Sequence, residues 1–132
     1  MIFLDTSAIY ALADAKDPHH AQATAYLAQA LERDEELLTH NYILIESMAL
    51  IQKRIGLEAA MHLAADVKAF KVEWVDEATH DEAVGHLEKM GKRGISLVDA
   101  VSFVLMRKHG IRTALAFDED FTTEGFRLYG AG

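Results

Sequence analysis

The sequence contains no cysteine and only one proline, Pro18. Without cysteine the chain has neither disulfides nor thiolate metal sites, so any metal site must use oxygen or imidazole ligands. No apolar stretch approaches the roughly 20 residues that span a membrane, and the apolar opening at residues 2–4 is too short for a signal peptide. We therefore expect a cytoplasmic protein with no membrane association.

Basic residues are scarce relative to acidic ones. The chain has 13 lysines and arginines against 21 aspartates and glutamates, a formal net charge of −8. Taken alone, this charge disfavours nucleic-acid binding, because phosphate contacts need a basic surface. Two interpretations remain open: the acids solvate the surface, or several of them bind divalent cations that reverse the local charge.

The 132 residues contain no linker, repeat or low-complexity tract, which indicates one domain over residues 1–132. Short apolar runs alternate with longer segments of helical periodicity, and this alternation is typical of a parallel sheet with helices on both faces. We predict an α/β fold of three layers, α/β/α, in which the central layer is a parallel sheet of about five strands.

The same alternation predicts individual elements and their caps. Asp17 is expected to cap one helix with Pro18 at its first position, and Gly56 and Gly110 to end two others. Strands are predicted at residues 2–4, 36–39, 72–74, 113–117 and 127–129. Helices are predicted at residues 8–13, 18–33, 41–55, 57–70, 79–90 and 96–109, with Asn41, Thr79 and Ser96 as capping residues.

Two acids directly follow predicted strands. Asp5 ends the first strand and Asp118 ends the fourth, and ligands bind at the carboxyl ends of strands in such sheets. Asp5 could instead be a turn or capping residue, and Asp118 and Asp120 could belong to a polar turn. Phe117 and Phe121 bracket that turn, so we expect it to be packed against the protein.

Two further acids lie within predicted helices. Glu46 sits in the apolar run 42–51, where burial of an unpaired carboxylate is costly and metal coordination would relieve the cost. Exposure at a helix edge or pairing with a basic residue is the alternative. Asp99 follows Ser96 at the spacing of a capping box, and the same position would hold a metal-binding carboxylate rigidly.

Taken together, these acids suit a hard cation, since Mg²⁺ and Mn²⁺ prefer oxygen ligands. Two such ions roughly 4 Å apart activate water and stabilise the leaving oxygen in phosphodiester cleavage. Two other functions remain open. One is a receiver-like or phosphatase-like phosphoryl-transfer protein, although Asp5 lacks the neighbouring acid that either would use. The other is a non-catalytic interaction module whose acids only cap helices.

Four segments resemble the PIN domain in their order and approximate spacing: IFLDTSAIYAL, NYILIESMALI, SLVDAVSFVLMRKHGI and ALAFDEDF. More narrowly, they resemble the ribonuclease toxins of VapBC-type toxin–antitoxin pairs. The resemblance implies that Thr6 and Ser7 hold the first carboxylate or a water. It also implies that four of the catalytic acids bind the metal and that Asp120 takes the more variable fifth position; the four are Asp5, Glu46, Asp99 and Asp118.

The resemblance further implies a Mg²⁺ or Mn²⁺ requirement, an RNA substrate, a homodimer and inhibition by a cognate antitoxin protein. In an acidic chain, RNA binding would depend on local basic residues. The candidates are Lys92 and Arg93, in a glycine-flanked loop, and Lys53, at the end of the helix that carries Glu46. Each could equally be a solvated surface charge.

Overall fold

The structure, a computed structural model, describes residues 1–131. Its centre is a parallel sheet with the strand order β3-β2-β1-β4-β5. Every residue of β1 and β2 is buried, as expected for strands covered on both faces. The prediction of an α/β fold with a parallel sheet of five strands is confirmed. The strands are β1 Ile2–Leu4, β2 Leu37–His40, β3 Lys71–Glu73, β4 Thr113–Leu115 and β5 Arg127–Leu128.

Within residues 1–131, seven α-helices accompany the sheet: α1 Thr6–Ala13, α2 His20–Glu32, α3 Asn41–Arg54, α4 Leu57–Asp66, α5 Glu77–Met90, α6 Leu97–Lys108 and α7 Asp120–Thr123. Helices α1 to α4 pack together, and α5 packs on α6. The connections from β1 to β3 advance in one direction and that from β3 to β4 reverses, so right-handed crossovers put α5 and α6 on the opposite face. None of these helices is long and apolar enough to cross a membrane.

Helix α6 lies in the interior. Residues 100–106 are all buried, as expected of a helix that is apolar nearly all round. Phe103 and Met106 belong to the main core with Phe3, whereas Val101 and Leu105 belong to a second cluster with residues of α5. Packing on both sides therefore fixes the position of the helix whose first turn carries Asp99.

Several predicted helix boundaries are wrong. Helix α1 begins at Thr6 and not at residue 8, and α5 begins at Glu77 and not at residue 79. Helix α2 begins at His20 and not at Pro18, because Asp17 closes a turn in which its Oδ1 accepts from the His19 N–H at 2.8 Å. Helix α4 ends at Asp66, and a 3₁₀ turn over Val67–Ala69 completes the segment that was predicted to be helical to residue 70. Gly56, at φ +133°, separates α3 from α4 as expected.

Two helices are capped by residues other than those predicted. His40 caps α3, its Nδ1 accepting from the Ile43 N–H at 3.4 Å, while the predicted cap Asn41 accepts from the Val75 N–H. Asp76 caps α5 by accepting from the N–H of Thr79, the residue predicted to cap it. In both cases the cap lies earlier in the chain than the spacing indicated, nearer the preceding strand.

Candidate metal and active site

The sheet brings the first and fourth strands together. Strands β1 and β4 are neighbours, and the strand order reverses between them, which makes the crevice at their carboxyl ends the expected ligand site. Asp5 follows β1 directly and Asp118 follows β4 after two residues. Two acids that are 113 positions apart in the sequence thus arrive at one edge of the sheet.

Asp5 is buried, with 4% of its surface exposed. It caps α1, and its Oδ2 accepts from both the N–H and the hydroxyl of Ser7, at 3.2 and 2.7 Å. Burial raises the pKa of Asp5 to about 6; the hydrogen bonds from Ser7 oppose this shift, and the charge of Asp99 adds to it. The capping and metal-binding interpretations of Asp5 are therefore compatible.

Ser7 connects the two strand ends. Its Oγ accepts from the Phe117 N–H at 2.9 Å while donating to Asp5. A backbone bond from the Asp5 N–H to the Leu115 carbonyl, at 3.2 Å, reinforces the connection. Among the described residues, the buried Oγ1 of Thr6 has no hydrogen-bond partner. Ser7 thus holds the Asp5 carboxylate against the loop that carries Asp118.

Three carboxylates form the centre of the site, and we call them the aspartate triad: Asp99, Asp118 and Asp120. One oxygen of each lies within 4.8 Å of the others. Asp99 and Ser96 form the predicted capping box, with Ser96 N–H donating to Asp99 Oδ2 at 3.1 Å. Asp118 Oδ1 accepts from the Asp120 N–H at 2.9 Å. These bonds orient the acids, and each carboxylate keeps oxygen lone pairs for a ligand.

The acids of the site repel one another. Burial raises the pKa of Asp99 and the bonds from Ser96 oppose the rise, while the charges of Asp118 and Glu46 add to it. Desolvation and then the charge of Asp118 raise the pKa of Asp120. Closely spaced acids with raised pKa values gain from a bound divalent cation. The donor set of the triad therefore fits Mg²⁺ or Mn²⁺.

Glu46 is exposed, so the prediction that it is buried in an apolar helix is wrong. Ile45 beside it is 63% exposed, because α3 turns part of its apolar surface outward. Glu46 and Asp5 are not part of the triad, whose carboxylate oxygens lie within 4.8 Å of one another. The charge of Glu46 nevertheless raises the pKa of Asp99, and the charge of Asp99 raises the pKa of Asp5. Asp99 is thus the acid around which the predicted set converges.

The predicted basic residues differ in their relation to the site. Lys92 and Arg93 are exposed in the loop before α6, and the charge of Lys92 opposes the rise in the pKa of Asp120, which places it near the triad. Lys53 is exposed on α3, seven residues beyond Glu46. That separation corresponds to roughly 10 Å along the helix axis.

A buried polar pair near the site was not expected from the sequence. His40 Nε2 lies 2.9 Å from Ser102 Oγ, which donates to the Val98 carbonyl at 3.0 Å. Since His40 Nδ1 accepts from the Ile43 N–H, Nε2 carries the proton and donates to Ser102. Burial lowers the pKa of His40 to about 3, so the ring is neutral. The pair joins the end of β2 to α6, one turn beyond Asp99.

The chain belongs to the family of PIN domains. Its sequence matches the family model of the PIN domain over residues 2–124. It is 38% identical over 128 residues to the 23S rRNA-specific endonuclease VapC20 of Mycobacterium tuberculosis, covering 96% of this chain and 95% of that protein. It is 25% identical over 119 residues to ribonuclease VapC26 of the same organism, covering 89% and 86%.

Solved structures agree with the sequence comparison. The crystal structure of VapC20, described as a sarcin-ricin loop cleaving toxin, matches with a TM-score of 0.87 and 36% identity over 96% of both chains. FitAcB from Neisseria gonorrhoeae matches with a TM-score of 0.68 and 17% identity over 98% of this chain and 97% of that one, which shows the fold alone. The resemblance to the PIN domain is confirmed.

Proposed function

We propose that this chain is a divalent-metal-dependent endoribonuclease, the toxin of a toxin–antitoxin pair that acts in the cytoplasm as a single nuclease domain. The observation that carries the proposal is the aspartate triad at the switch point of the sheet. The sequence similarity adds support, because the chain is 38% identical to an rRNA endonuclease over nearly its whole length.

In this proposal Asp99, Asp118 and Asp120 would hold Mg²⁺ or Mn²⁺, and the buried Asp5, on which the charge of Asp99 acts, would be a further ligand. A cation bound there supplies Lewis acidity toward water and toward an oxygen of the phosphate. Ser7 fixes the Asp5 carboxylate, so that its second oxygen can bind the cation or accept a hydrogen bond from the attacking water.

Glu46, which is exposed, would bind a second cation or orient water, and Asp120 would assist it besides holding the first cation. The overall reaction forms a bond from a water oxygen to phosphorus and breaks the bond from phosphorus to the 3′ oxygen. One product then carries a 5′ phosphate, and the proton lost by water balances the one gained by the departing 3′ oxygen.

Three basic residues are the proposed RNA contacts: Lys92, Arg93 and Lys53. The structural support is strongest for Lys92, whose charge acts on Asp120. Phosphate contacts by these residues would offset the repulsion between RNA and an acidic chain. The name of VapC20 specifies 23S rRNA and that of its structure the sarcin-ricin loop, so a hairpin with that loop is the substrate to test first.

We also propose an antitoxin and a homodimer as partners. An apolar groove of about 640 Å³ between α1, α2 and α4 supports the first, since an apolar segment of an antitoxin would fit it. Exposed side chains such as Ile45 and Trp74, 63% and 73% exposed, support the second. Sedimentation of the parent and of Ile45→Glu tests the homodimer: a parent that sediments as a monomer would contradict it.

The nuclease proposal is tested by cleavage of the hairpin RNA with Mg²⁺. Asp99→Asn should lower the cleavage rate at least about 100-fold, because one carboxylate of the triad contributes several kcal/mol to binding and activation. Glu119→Gln is the matched control, an exposed acid between two triad members in the same loop. Equal rates for Asp99→Asn and the parent, or an equal loss in the control, would contradict the proposal.

A further inference from the structure

The imidazole of His19 lies flat on the ring of Phe117. The ring centroids are 4.4 Å apart and the ring planes differ by 8°. Phe117 immediately precedes Asp118, and its N–H donates to the Ser7 hydroxyl that holds Asp5. His19 is exposed while Phe117 is half-buried. Because Phe117 covers one face of the imidazole and His19 is exposed, the opposite face is the one that a ligand can reach.

The turn that presents His19 is fixed by hydrogen bonds. Asp17 Oδ1 accepts from the His19 N–H at 2.8 Å, and the Asp17 N–H donates to the Asp14 carbonyl at 3.0 Å. The Asp14 carboxylate accepts from the Tyr10 hydroxyl at 2.8 Å and from the Lys16 N–H at 2.9 Å. Since the ring is already held in place, little conformational entropy would be lost when a ligand packs on it.

We propose that His19 is a stacking platform for an unpaired nucleobase of the RNA substrate, adjacent to the phosphate that is cleaved. Unpaired RNA bases stack on aromatic side chains, histidine included, and this contact accepts any base because every base has a π-face. A base on the outer face of His19 adds a third layer to the pair. Because Asp118 directly follows Phe117 in the chain, this proposal places the nucleotide of that base near the triad.

This inference rests on the proposed ribonuclease function and adds a requirement on the substrate. A base inside a duplex has both faces covered by its neighbours, so the platform takes a base from a loop, a bulge or a single strand. Loop packing between His19 and Phe117 is the other role the pair can have. If the pair only packs the loop, KM for RNA cleavage should not depend on the presence of any one base.

The test measures KM and kcat for cleavage of the hairpin RNA by three variants and the parent. His19→Ala should raise KM at least about fivefold, the low end of what a base–aromatic stack contributes, and change kcat less than KM. His19→Phe keeps a flat ring and should restore KM. His62→Ala, an exposed histidine on α4, is the control and should match the parent.

A second arm removes single bases from the RNA. One abasic position should raise KM for the parent but not for His19→Ala, because stacking is already absent in that variant. The inference is overturned if His19→Ala matches the parent, if His19→Phe behaves like His19→Ala, or if the His19→Ala defect is the same on every abasic RNA. A parent that cleaves no RNA overturns the proposed function, and this inference with it; a cleaving parent matched by His19→Ala overturns this inference alone.

Discussion

At the scale of single residues, the Asp5 carboxylate is subject to two opposing effects on its charge. Its carboxylate caps α1 through Ser7, which favours the charged form, yet it is buried beside Asp99, which disfavours it. A protein without bound cations must therefore hold this group either protonated or charged at a cost. Cation binding would remove the conflict, because an opposite charge stabilises the carboxylate.

Replacing Asp5 with asparagine should stabilise the metal-free protein near neutral pH. The folded-state pKa of about 6 exceeds the ordinary 3.8, so the folded state holds the proton more tightly and its free energy of unfolding falls as pH rises through that window. By about pH 7 this loss approaches 3 kcal/mol. The Asp5→Asn variant does not lose this stability as the pH rises. The free energies of unfolding of the variant and the parent should therefore converge below about pH 4.

Urea denaturation with a chelator at several pH values measures this difference. Asp76→Asn is the control: hydrogen bonds from Thr79 lower the pKa of Asp76, so removal of its charge should not stabilise the protein. If Asp5→Asn is less stable than the parent near neutral pH, then burial of the Asp5 charge does not dominate its energetics.

Individual candidate acids of the site could be identified from the sequence, because the ends of the predicted strands can be located in it. Asp5 and Asp118 each follow an apolar run, and parallel strands end at one edge. Glu46 was assigned correctly to α3 but wrongly to a buried face, because an apolar helix can also turn that surface outward. His40 and Ser102 could not be paired from sequence, since 62 positions separate them and only the tertiary fold brings them together.

Among the secondary-structure elements, α6 holds one acid of the triad, Asp99, in a fixed position. Its buried middle is fixed between the sheet and α5, and its exposed start presents Asp99 to the other acids. The capping box aligns that start, because Ser96 and Asp99 each bond the other's backbone N–H. The local motif and the global packing therefore favour the same orientation of the Asp99 carboxylate.

Ser96→Ala should lower both the stability and the RNA cleavage rate. Loss of a serine cap costs about 1 kcal/mol, and it also releases one of the bonds that orient the first turn around Asp99. Ser96→Thr keeps a capping hydroxyl and should behave nearly like the parent. Thermal melting and the cleavage rate measure the two effects; unchanged cleavage in Ser96→Ala would mean that the cap does not position Asp99.

The elements themselves could be predicted more fully than their ends. The alternation of apolar runs and helical periodicity located the five strands and the main helices, because both patterns depend on local spacing. The caps of α3 and α5 were misassigned. His40 is a buried strand residue and Asp76 lies beyond β3, and which of several polar residues caps a helix depends on how the chain leaves the sheet.

Across the whole molecule, the charge is unevenly distributed. Residues 89–127, which include α6, β4 and the triad, carry seven lysines and arginines and five acids, a net charge of +2 in a chain of −8. Three of those five acids belong to the triad. Bound cations would therefore make this region more positive, which reconciles an acidic chain with an RNA substrate. Net charge alone could not reveal this distribution.

Calorimetric titration of the protein with Mn²⁺ is the most direct test of the aspartate triad as a metal site. The parent should bind the ion, and Asp118→Asn should bind it at least about tenfold more weakly, since one of three charged ligands is lost. Glu119→Gln, one residue further along the same loop, should bind it like the parent. Binding by Asp118→Asn at the parent's affinity, or no binding by the parent, would contradict the assignment of the aspartate triad as the metal site.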